Sequence, residues 1–81
     1  MEQEQVKDLV LKIARALVDH PEQVSVKVIE DETMTIFELS VAKIDVGKII
    51  GKQGRTADAI RTILNAMAGK THKRMMLEII D

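Results

Sequence analysis

The residues of this sequence that are best suited to do chemistry lie in one short segment, Gly51-Lys52-Gln53-Gly54. Two glycines three positions apart let the backbone turn tightly and expose its N–H groups, because neither residue carries a Cβ. Lys52 lies inside the segment and Arg55 follows it. A helical pattern then begins, which would direct the positive end of a helix dipole to the same place. This combination can hold a chain of phosphates, so a nucleic-acid clamp is the first hypothesis.

Other kinds of chemistry are poorly supported. Cysteine is absent, which excludes disulfides and thiolate metal sites. His20 and His72 have no partner at metal-ligand spacing, and we interpret both as surface or structural residues. The phosphate-loop signature G-x-x-x-x-G-K-[ST] does not occur, and Ser, Thr, Asp and Glu form no recognisable nucleophile–base arrangement. We therefore expect no enzyme, no catalytic residue, no metal, no cofactor and no small-molecule substrate.

Charge is divided unevenly along the chain. The net charge is −1, which by itself argues against a nucleic-acid binder. Residues 1–38 contain four Lys or Arg and nine Asp or Glu, whereas residues 39–81 contain eight and four. The glycine segment lies in the positive half, and this coincidence favours an anionic partner.

Length and composition indicate a single domain spanning residues 1–81. The chain has 81 residues, of which 46% are hydrophobic, enough for one small core. Residues 2–5, Glu-Gln-Glu-Gln, are acidic or polar, unlike the start of a secretory or transit peptide. No apolar run approaches the ~18 residues that a membrane span requires. We expect a cytoplasmic protein that does not associate with membranes.

The first half of the chain predicts a helix followed by a hairpin. Apolar residues recur at helical spacing over residues 3–19, and Pro21 disfavours helical geometry at the residue before it. The stripe consists of Val6, Leu9, Val10, Ile13, Ala14, Leu17 and Val18. Alternation then predicts strands over residues 24–30 and 34–42, joined by a charged turn. Such neighbours should pair antiparallel, with Thr35, Phe37, Leu39 and Val41 on one face of the second strand.

The second half predicts two helices on either side of the glycine segment and a last strand. Asp45 can cap a short helix over residues 45–50, which Gly51 ends. A longer helix is expected over residues 55–68, with Ile60, Ile63, Leu64 and Met67 as its stripe and Gly69 as its stop. A strand over residues 72–80 follows. The order α-β-β-α-α-β predicts an α+β fold in which helices pack on one face of a three-stranded mixed sheet, with the last two strands parallel.

This order and the glycine segment resemble the KH domain in its type II arrangement. KH domains carry an apolar-apolar-Gly-x-x-Gly-basic signature between two short helices, and Ile49-Ile50-Gly51-Lys52-Gln53-Gly54-Arg55 contains each element. The likeness extends over nearly the whole chain. Its length, its acidic N-terminus and the run GKIIGKQGRTADAIRTIL are similar to the small bacterial single-KH-domain RNA-binding proteins of the KhpA (YlqC) family.

The resemblance implies that about four unpaired nucleotides of RNA lie in a groove and are held by the glycine loop. By position, the clamp would be Gly51, Lys52, Gln53 and Gly54. Lys48 and Arg55 would add charge beside it. The floor of the groove would be aliphatic, formed by Ile49, Ile50 and Ile60 together with the second strand near Leu39 and Val41.

The resemblance also implies partners and a cellular role. Members of this family are associated with homodimers and with KhpB (also called Jag or EloR), a second KH-containing RNA-binding protein. The pair is linked to RNA chaperone activity, post-transcriptional control, cell elongation and peptidoglycan homeostasis.

Two further interpretations are kept open from the residues themselves. The acidic total charge favours a protein-interaction subunit whose fold mainly serves dimerisation and whose own RNA contact is minor. A helix-turn-helix DNA binder is disfavoured, because the second long helix exposes few base-reading side chains, Arg61, Thr62 and Asn65.

The second basic cluster, Lys70, Lys73 and Arg74, is typical of a solvated strand end, with an extended RNA path as the alternative.

Overall fold

The computed structural model describes the backbone of residues 2–80 and the side chains of residues 3–80, and its elements follow the predicted order. They are α1 (Glu2–Leu17), β1 (Ser25–Glu30), β2 (Met34–Ser40), α2 (Val46–Ile50), α3 (Arg55–Thr71) and β3 (Arg74–Ile80). Short 3-10 turns occupy Pro21–Gln23, Lys43–Asp45 and Lys52–Gly54. The α+β class is confirmed. The predicted range 1–81 includes Met1 and Asp81, which lie outside the described residues.

The sheet has the strand order β1-β2-β3, with both predicted pairings. β1 and β2 are antiparallel, and Val28 lies opposite Phe37. β2 and β3 are parallel, and Phe37 also lies opposite Leu77. A parallel pair needs a crossover connection, which α2 and α3 supply. The glycine segment lies in the middle of that crossover.

One face of the sheet is buried beneath the helices. Alternating strand residues point into this layer, because successive side chains of a strand project to opposite faces. Its most buried members are Val26, Thr35, Phe37, Leu39, Met75 and Leu77 from the sheet, with Val6, Val10, Ala14, Ile49, Ile60 and Leu64 from the helices. Burying each of the larger side chains stabilises the fold by about 1.5–3 kcal/mol before conformational entropy is subtracted. The helices are therefore held firmly against the sheet.

The structure corrects the end of the first helix. The predicted helix runs to residue 19, but α1 ends at Leu17. His20, which precedes Pro21, has φ −122° and ψ 69°, outside the helical region. The N–H groups of Asp19 and His20 donate to the carboxylate of Asp45 instead of to helical carbonyls. The helix ends early because a side chain from elsewhere in the chain takes its last donors.

Asp45 is therefore not the helix cap that the sequence predicts. It precedes α2, but its side chain makes no capping hydrogen bond to that helix. Its side chain is turned toward the end of α1 and the residue is 0% exposed. A capping aspartate and a buried one can occupy the same position in sequence, and only the packing of α1 distinguishes them.

The end of the long helix is also corrected. Gly69 does not stop α3, which continues to Thr71. The chain turns at His72, whose φ of 61° lies in the left-handed region. Glycine permits a helix to end but does not force it to, and here the helix ends three residues later than predicted, before the chain turns into β3. Ile63, predicted to be part of the buried stripe, is 41% exposed.

Candidate nucleic-acid interface

The loop Gly51–Gly54 begins at a position that only glycine fits. Gly51 has φ 77° and ψ 173°, a region essentially closed to residues with a Cβ. A Cβ built there would overlap Thr56 Oγ1 and lie 2.9 Å from Thr56 N. The first glycine therefore lets the chain leave α2 and pass close over the start of α3.

The rest of the loop presents backbone donors. Gln53 has φ 58° and Gly54 has φ 75°, whereas Lys52 is not among the residues with positive φ. A change in the sign of φ between neighbours turns successive N–H groups toward one side, which makes a small anion-binding concavity. Gly54 N donates to Gly51 O and Arg55 N donates to Lys52 O. The N–H groups of Lys52 and Gln53 have no hydrogen-bond acceptor among residues 2–80.

Unpaired cations surround these donors. Lys52, Gln53 and Arg55 are exposed, and neither Lys52 nor Arg55 forms an ion pair within the described part of the chain. Lys48 Nζ lies 3.4 Å from Asp19 Oδ2, with the two side chains 45% and 70% exposed. An exposed pair of this kind contributes little energy, so Lys48 can exchange its partner readily. The loop therefore has two free cations and a third that is weakly held.

The predicted aliphatic floor is mostly absent from the surface. Ile49 and Leu39 are 0% exposed and Ile60 is 3% exposed, so all three lie in the core. Val41 is 7% exposed. The expectation that these side chains line an open groove is not met. Ile50, 40% exposed, is the predicted floor residue that offers apolar surface beside the loop.

A cleft between α3 and β3 is a surface feature that the sequence reasoning did not identify. It has a volume of about 230 Å³. Its lining consists of Arg61, Asn65 and Ala68 from α3 and Arg74, Met75, Met76 and Leu77 from β3. The available signal was the spacing of Arg61 and Asn65, which places both on one face of the helix. That face becomes a cleft only because β3 packs beside it.

The second basic cluster is partly neutralised. Lys73 Nζ lies 2.5 Å from Glu30 Oε2, and Gln3 Nε2 donates to the same oxygen over 2.5 Å. The hydrogen bond from Lys73, followed by that from Gln3, holds the pKa of Glu30 below its usual value. Lys70 and Arg74 are exposed. At Lys73 the structure therefore favours the interpretation as a structural residue at a strand end.

The isolated histidines have ordinary surroundings. His20 Nδ1 lies 3.1 Å from Asp45 Oδ2, and His72 is an exposed helix-ending residue. No group of three or more His, Cys, Asp or Glu that could hold a metal occurs among the residues whose positions are described. Within the same residues, no helix has the length and apolar character needed to cross a membrane.

Asp45 is an ionisable side chain that is fully buried. Burial by itself raises the pKa of this carboxyl, but three hydrogen bonds act in the opposite direction and outweigh it. They come from Asp19 N at 3.3 Å, from the His20 ring at 3.1 Å and from His20 N at 3.0 Å. The pKa therefore lies below its ordinary value, and the buried group is a carboxylate at neutral pH.

Known proteins resemble this chain over most of its length. An "RNA-binding protein KhpA" from Borreliella burgdorferi is 53% identical over 74 residues, which cover 91% of this chain and 90% of that protein. A protein of the same name from Clostridium acetobutylicum is 51% identical over 75 residues, covering 93% and 100%. A third, from Listeria monocytogenes, is 47% identical over 76 residues, covering 94% and 100%.

Comparison with solved structures gave no significant match. The family model described as the KhpA/KhpB KH domain, by contrast, matches residues 7–79, a range that contains both strands of the hairpin, the complete crossover and the glycine loop. Fold order, loop geometry and sequence similarity agree, and the chain therefore belongs to the KhpA/KhpB family of KH domains.

Proposed function

We propose that this chain binds single-stranded RNA and that the loop Gly51–Gly54 clamps the sugar-phosphate backbone. Family membership supports the proposal, because the relatives described above carry the name RNA-binding protein. The observation that carries it is the pair of unbonded N–H groups, at Lys52 and Gln53, beside cations without ion-pair partners. Phosphate oxygens accept from such N–H groups and attract such cations.

The proposed contacts divide into three kinds. The backbone of Gly51, Lys52, Gln53 and Gly54 binds phosphate, and the side chains of Lys48, Lys52 and Arg55 add positive charge. Ile50 offers exposed apolar surface to a base or ribose. Ile49 and Ile60 act indirectly in this proposal, because they anchor the two helices in the core from below. The RNA strand would continue from the clamp toward the cleft that Arg61 and Arg74 flank.

Binding by one copy should be weak and sensitive to salt. Phe37 is the single Phe, Tyr or Trp residue and is 0% exposed, so no base can stack on a side chain of these three types. Neutralising ~3 phosphates of a single strand gives a slope of about −2 for log affinity against log salt. Affinity would then fall about twentyfold between 50 and 200 mM salt.

Weak single sites favour a paired arrangement. Two linked sites raise each other's effective concentration, and a complex can bind far more tightly than either site alone. We propose that the chain acts as a homodimer or together with KhpB, as a cytoplasmic RNA chaperone or post-transcriptional regulator. Cell elongation and peptidoglycan homeostasis are the processes that its family resemblance suggests.

A second candidate is a protein-interaction subunit with a minor RNA contact. The observation that favours it is exposed apolar surface on the same two helices, where Ile50 is 40% and Ile63 is 41% exposed. Isolated exposed apolar side chains are common, so this signal is weaker than the loop geometry. Sedimentation of the clamp variant described next separates the two candidates, because an interaction subunit would lose its dimer and keep its RNA binding.

The test is the double substitution Lys52→Asp/Gln53→Asp. Two carboxylates at the clamp would repel phosphate, and we expect loss of crosslinking to cellular RNA with an unchanged circular dichroism spectrum. The matched control is Lys12→Asp/Gln23→Asp, which makes the same change of charge at exposed positions away from the loop. If the clamp variant crosslinks as well as the control, the proposed function is wrong.

A further inference from the structure

We infer that Asp45 is the positioning residue of the clamp, and that it fixes the direction in which α2 presents the loop Gly51–Gly54. The structure places it in a joint between the end of α1 and the start of α2, in which the buried Asp45 contacts the half-buried His20 and the exposed Asp19. The inference rests on the proposed function, since it concerns how the same loop is held. It assigns a role to a buried charge that the RNA contacts themselves do not use.

Every contact of the joint crosses between two segments that are far apart in sequence. Asp45 Oδ1 accepts from Asp19 N at 3.3 Å, and Oδ2 accepts from His20 N at 3.0 Å. The His20 ring reaches the same Oδ2 at 3.1 Å. Both oxygens are therefore used. A carboxylate held by three donors has a fixed position and a fixed orientation.

The burial of Asp45 distinguishes this joint from an ion pair on the protein surface. Among the residues whose burial is described, Asp45 is the charged one that is buried, at 0% exposed. A buried carboxylate is costly unless donors satisfy it, so the joint holds only while all its members stay together. The two N–H groups that follow α1 have the converse need, because a buried donor without an acceptor is also costly.

α2 depends on contacts of this kind for its direction. It has five residues, far fewer than a helix needs to be stable in isolation. Ile49, which is 0% exposed, and the partly buried Val46 pack α2 against the core, but apolar contact is non-directional and does not by itself fix the tilt of so short a helix. Asp45, directly before the first residue of α2, adds directional hydrogen bonds. Because α2 is only about 7.5 Å long and leads straight into Gly51, any tilt at the joint is carried to the clamp.

The same joint also holds one of the clamp cations. Asp19 donates its N–H to Asp45, while its own carboxylate lies 3.4 Å from Lys48 Nζ. Lys48 is on α2, two residues before the end of that helix. Asp19 therefore connects the joint to Lys48 through an exposed and weakly held ion pair.

Three substitutions test the joint at different strengths. Asp45→Asn keeps the shape but places an amide N–H₂ where backbone donors point. His20→Ala removes one donor and leaves the two backbone donors. His20→Asn restores a donor near the place of Nδ1 and should rescue the effect. The control is Val6→Ala, a core truncation near the opposite end of α1 that destabilises the fold without touching the joint.

Two measurements are made on each folded variant. Affinity is measured with a fluorescein-labelled random-sequence single-stranded RNA, and the loop is monitored by the amide NMR signals of Gly51 and Gly54. We expect Asp45→Asn to bind about tenfold more weakly, as when the competent loop is populated about a tenth of the time. His20→Ala should show a smaller loss, and both variants should move the glycine amides. Val6→Ala should leave affinity and amides unchanged.

The outcomes separate this inference from the proposed function. Unmoved glycine amides and unchanged affinity in Asp45→Asn and His20→Ala would overturn the inference, as would an equal effect from Val6→Ala. If Asp45→Asn does not fold, His20→Ala and its rescue by His20→Asn decide the question. If the clamp variant Lys52→Asp/Gln53→Asp keeps full RNA binding, the proposed function fails. The amide signals then still decide whether Asp45 holds the loop.

Discussion

The two ends of α3 contain similar residues, which differ in their ion pairs and hydrogen bonds. At its start, Lys52, Gln53 and Arg55 are exposed, and the two cations among them have no ion-pair partner in the described part of the chain. At its end, His72 also takes a left-handed conformation and Lys73 is also basic. There, however, Lys73 pairs with Glu30, and Thr71 Oγ1 donates to Ala68 O at 3.3 Å.

The difference shows that composition alone does not mark a binding site. Each end of the helix has a cluster of positive charge and a turn with positive φ. At the far end the N–H groups of His72, Lys73 and Arg74 donate within the chain and Lys73 pairs with Glu30, while Lys70 and Arg74 stay exposed. At the loop, the N–H groups of Lys52 and Gln53 and the charges of Lys52 and Arg55 have no partner among residues 2–80, as the proposed clamp requires. The predictions below test this difference, beginning with the largest effect.

The largest effect is expected from Gly51→Ala. A Cβ at this position meets both an unfavourable backbone region and the side chain of Thr56. The unfavourable backbone region costs about 1–3 kcal/mol and overpacking about 1–3 kcal/mol, so we expect a loss of roughly 2–6 kcal/mol in the free energy of unfolding. Gly54→Ala, which has open space around its Cβ, should lose only the first part. Urea unfolding of the two variants checks this, and equal losses would show that Thr56 does not confine the loop.

Low pH should weaken the joint at Asp45 more than the Lys73–Glu30 pair at the end of α3. The pKa of Asp45 and that of Glu30 are both lowered by their hydrogen bonds in the folded state. A group with a lowered pKa stabilises the fold above its ordinary pKa, and this contribution is lost as the pH falls through the folded value. The free energy of unfolding should therefore fall below about pH 5, where carboxyls begin to be protonated in the unfolded chain.

Asp45→Asn and Glu30→Gln separate the two contributions to this acid sensitivity. Asp45 is buried, whereas Glu30 lies at the surface where solvent and salt screen its pair. Urea unfolding as a function of pH should show a flatter dependence for Asp45→Asn than for Glu30→Gln. Identical dependence in the two variants would mean that the buried joint holds no more strongly than the surface pair.

Local patterns predicted most of the fold. Alternation and helical spacing identified the six elements and the antiparallel hairpin, because these depend on residues close in sequence. The parallel pairing of the last two strands followed from the two-helix crossover between them. Contacts between distant segments were missed. The burial of Asp45 depends on residues 19 and 20, and the pairing of Lys73 depends on Glu30, 43 positions away.

The candidate site was predicted in the same uneven way. The exposure of Lys52 and Arg55 and the positive φ of Gly51 and Gly54 agree with their spacing and charge, and RNA contact at these residues stays a prediction. The aliphatic floor could not be predicted, because apolar residues such as Ile49 and Ile60 fit a core position as well as a groove. Only the packing of the helices decides between the two positions. The cleft beside α3 could not be predicted either, since Arg61 and Arg74 meet there through the packing of a helix on a strand.

Lys52→Ala and Lys73→Ala compare the two basic clusters directly. Each phosphate neutralised on a single strand contributes about 0.7 to the salt slope, which corresponds to about fivefold in affinity at 0.1 M salt. We expect Lys52→Ala to lose about this much and to flatten the slope by about 0.7. Lys73→Ala should keep its affinity within about twofold, because its charge is already paired with Glu30. Anisotropy titrations of labelled single-stranded RNA at several salt concentrations measure both, and equal losses would remove the distinction between the two ends.

The smallest effect is expected from Gly69→Ala, and its sign matters more than its size. Gly69 and Gly54 both have open space where a Cβ would lie, so packing does not distinguish them. They differ in backbone conformation, because Gly69 is inside α3 and Gly54 has φ 75°. Alanine should stabilise the helix interior by about 0.5–1 kcal/mol, whereas Gly54→Ala should be destabilising. Thermal unfolding measures both changes. A loss of stability in Gly69→Ala would mean that the helix ends at this glycine after all, and that both ends of α3 are closed by glycine.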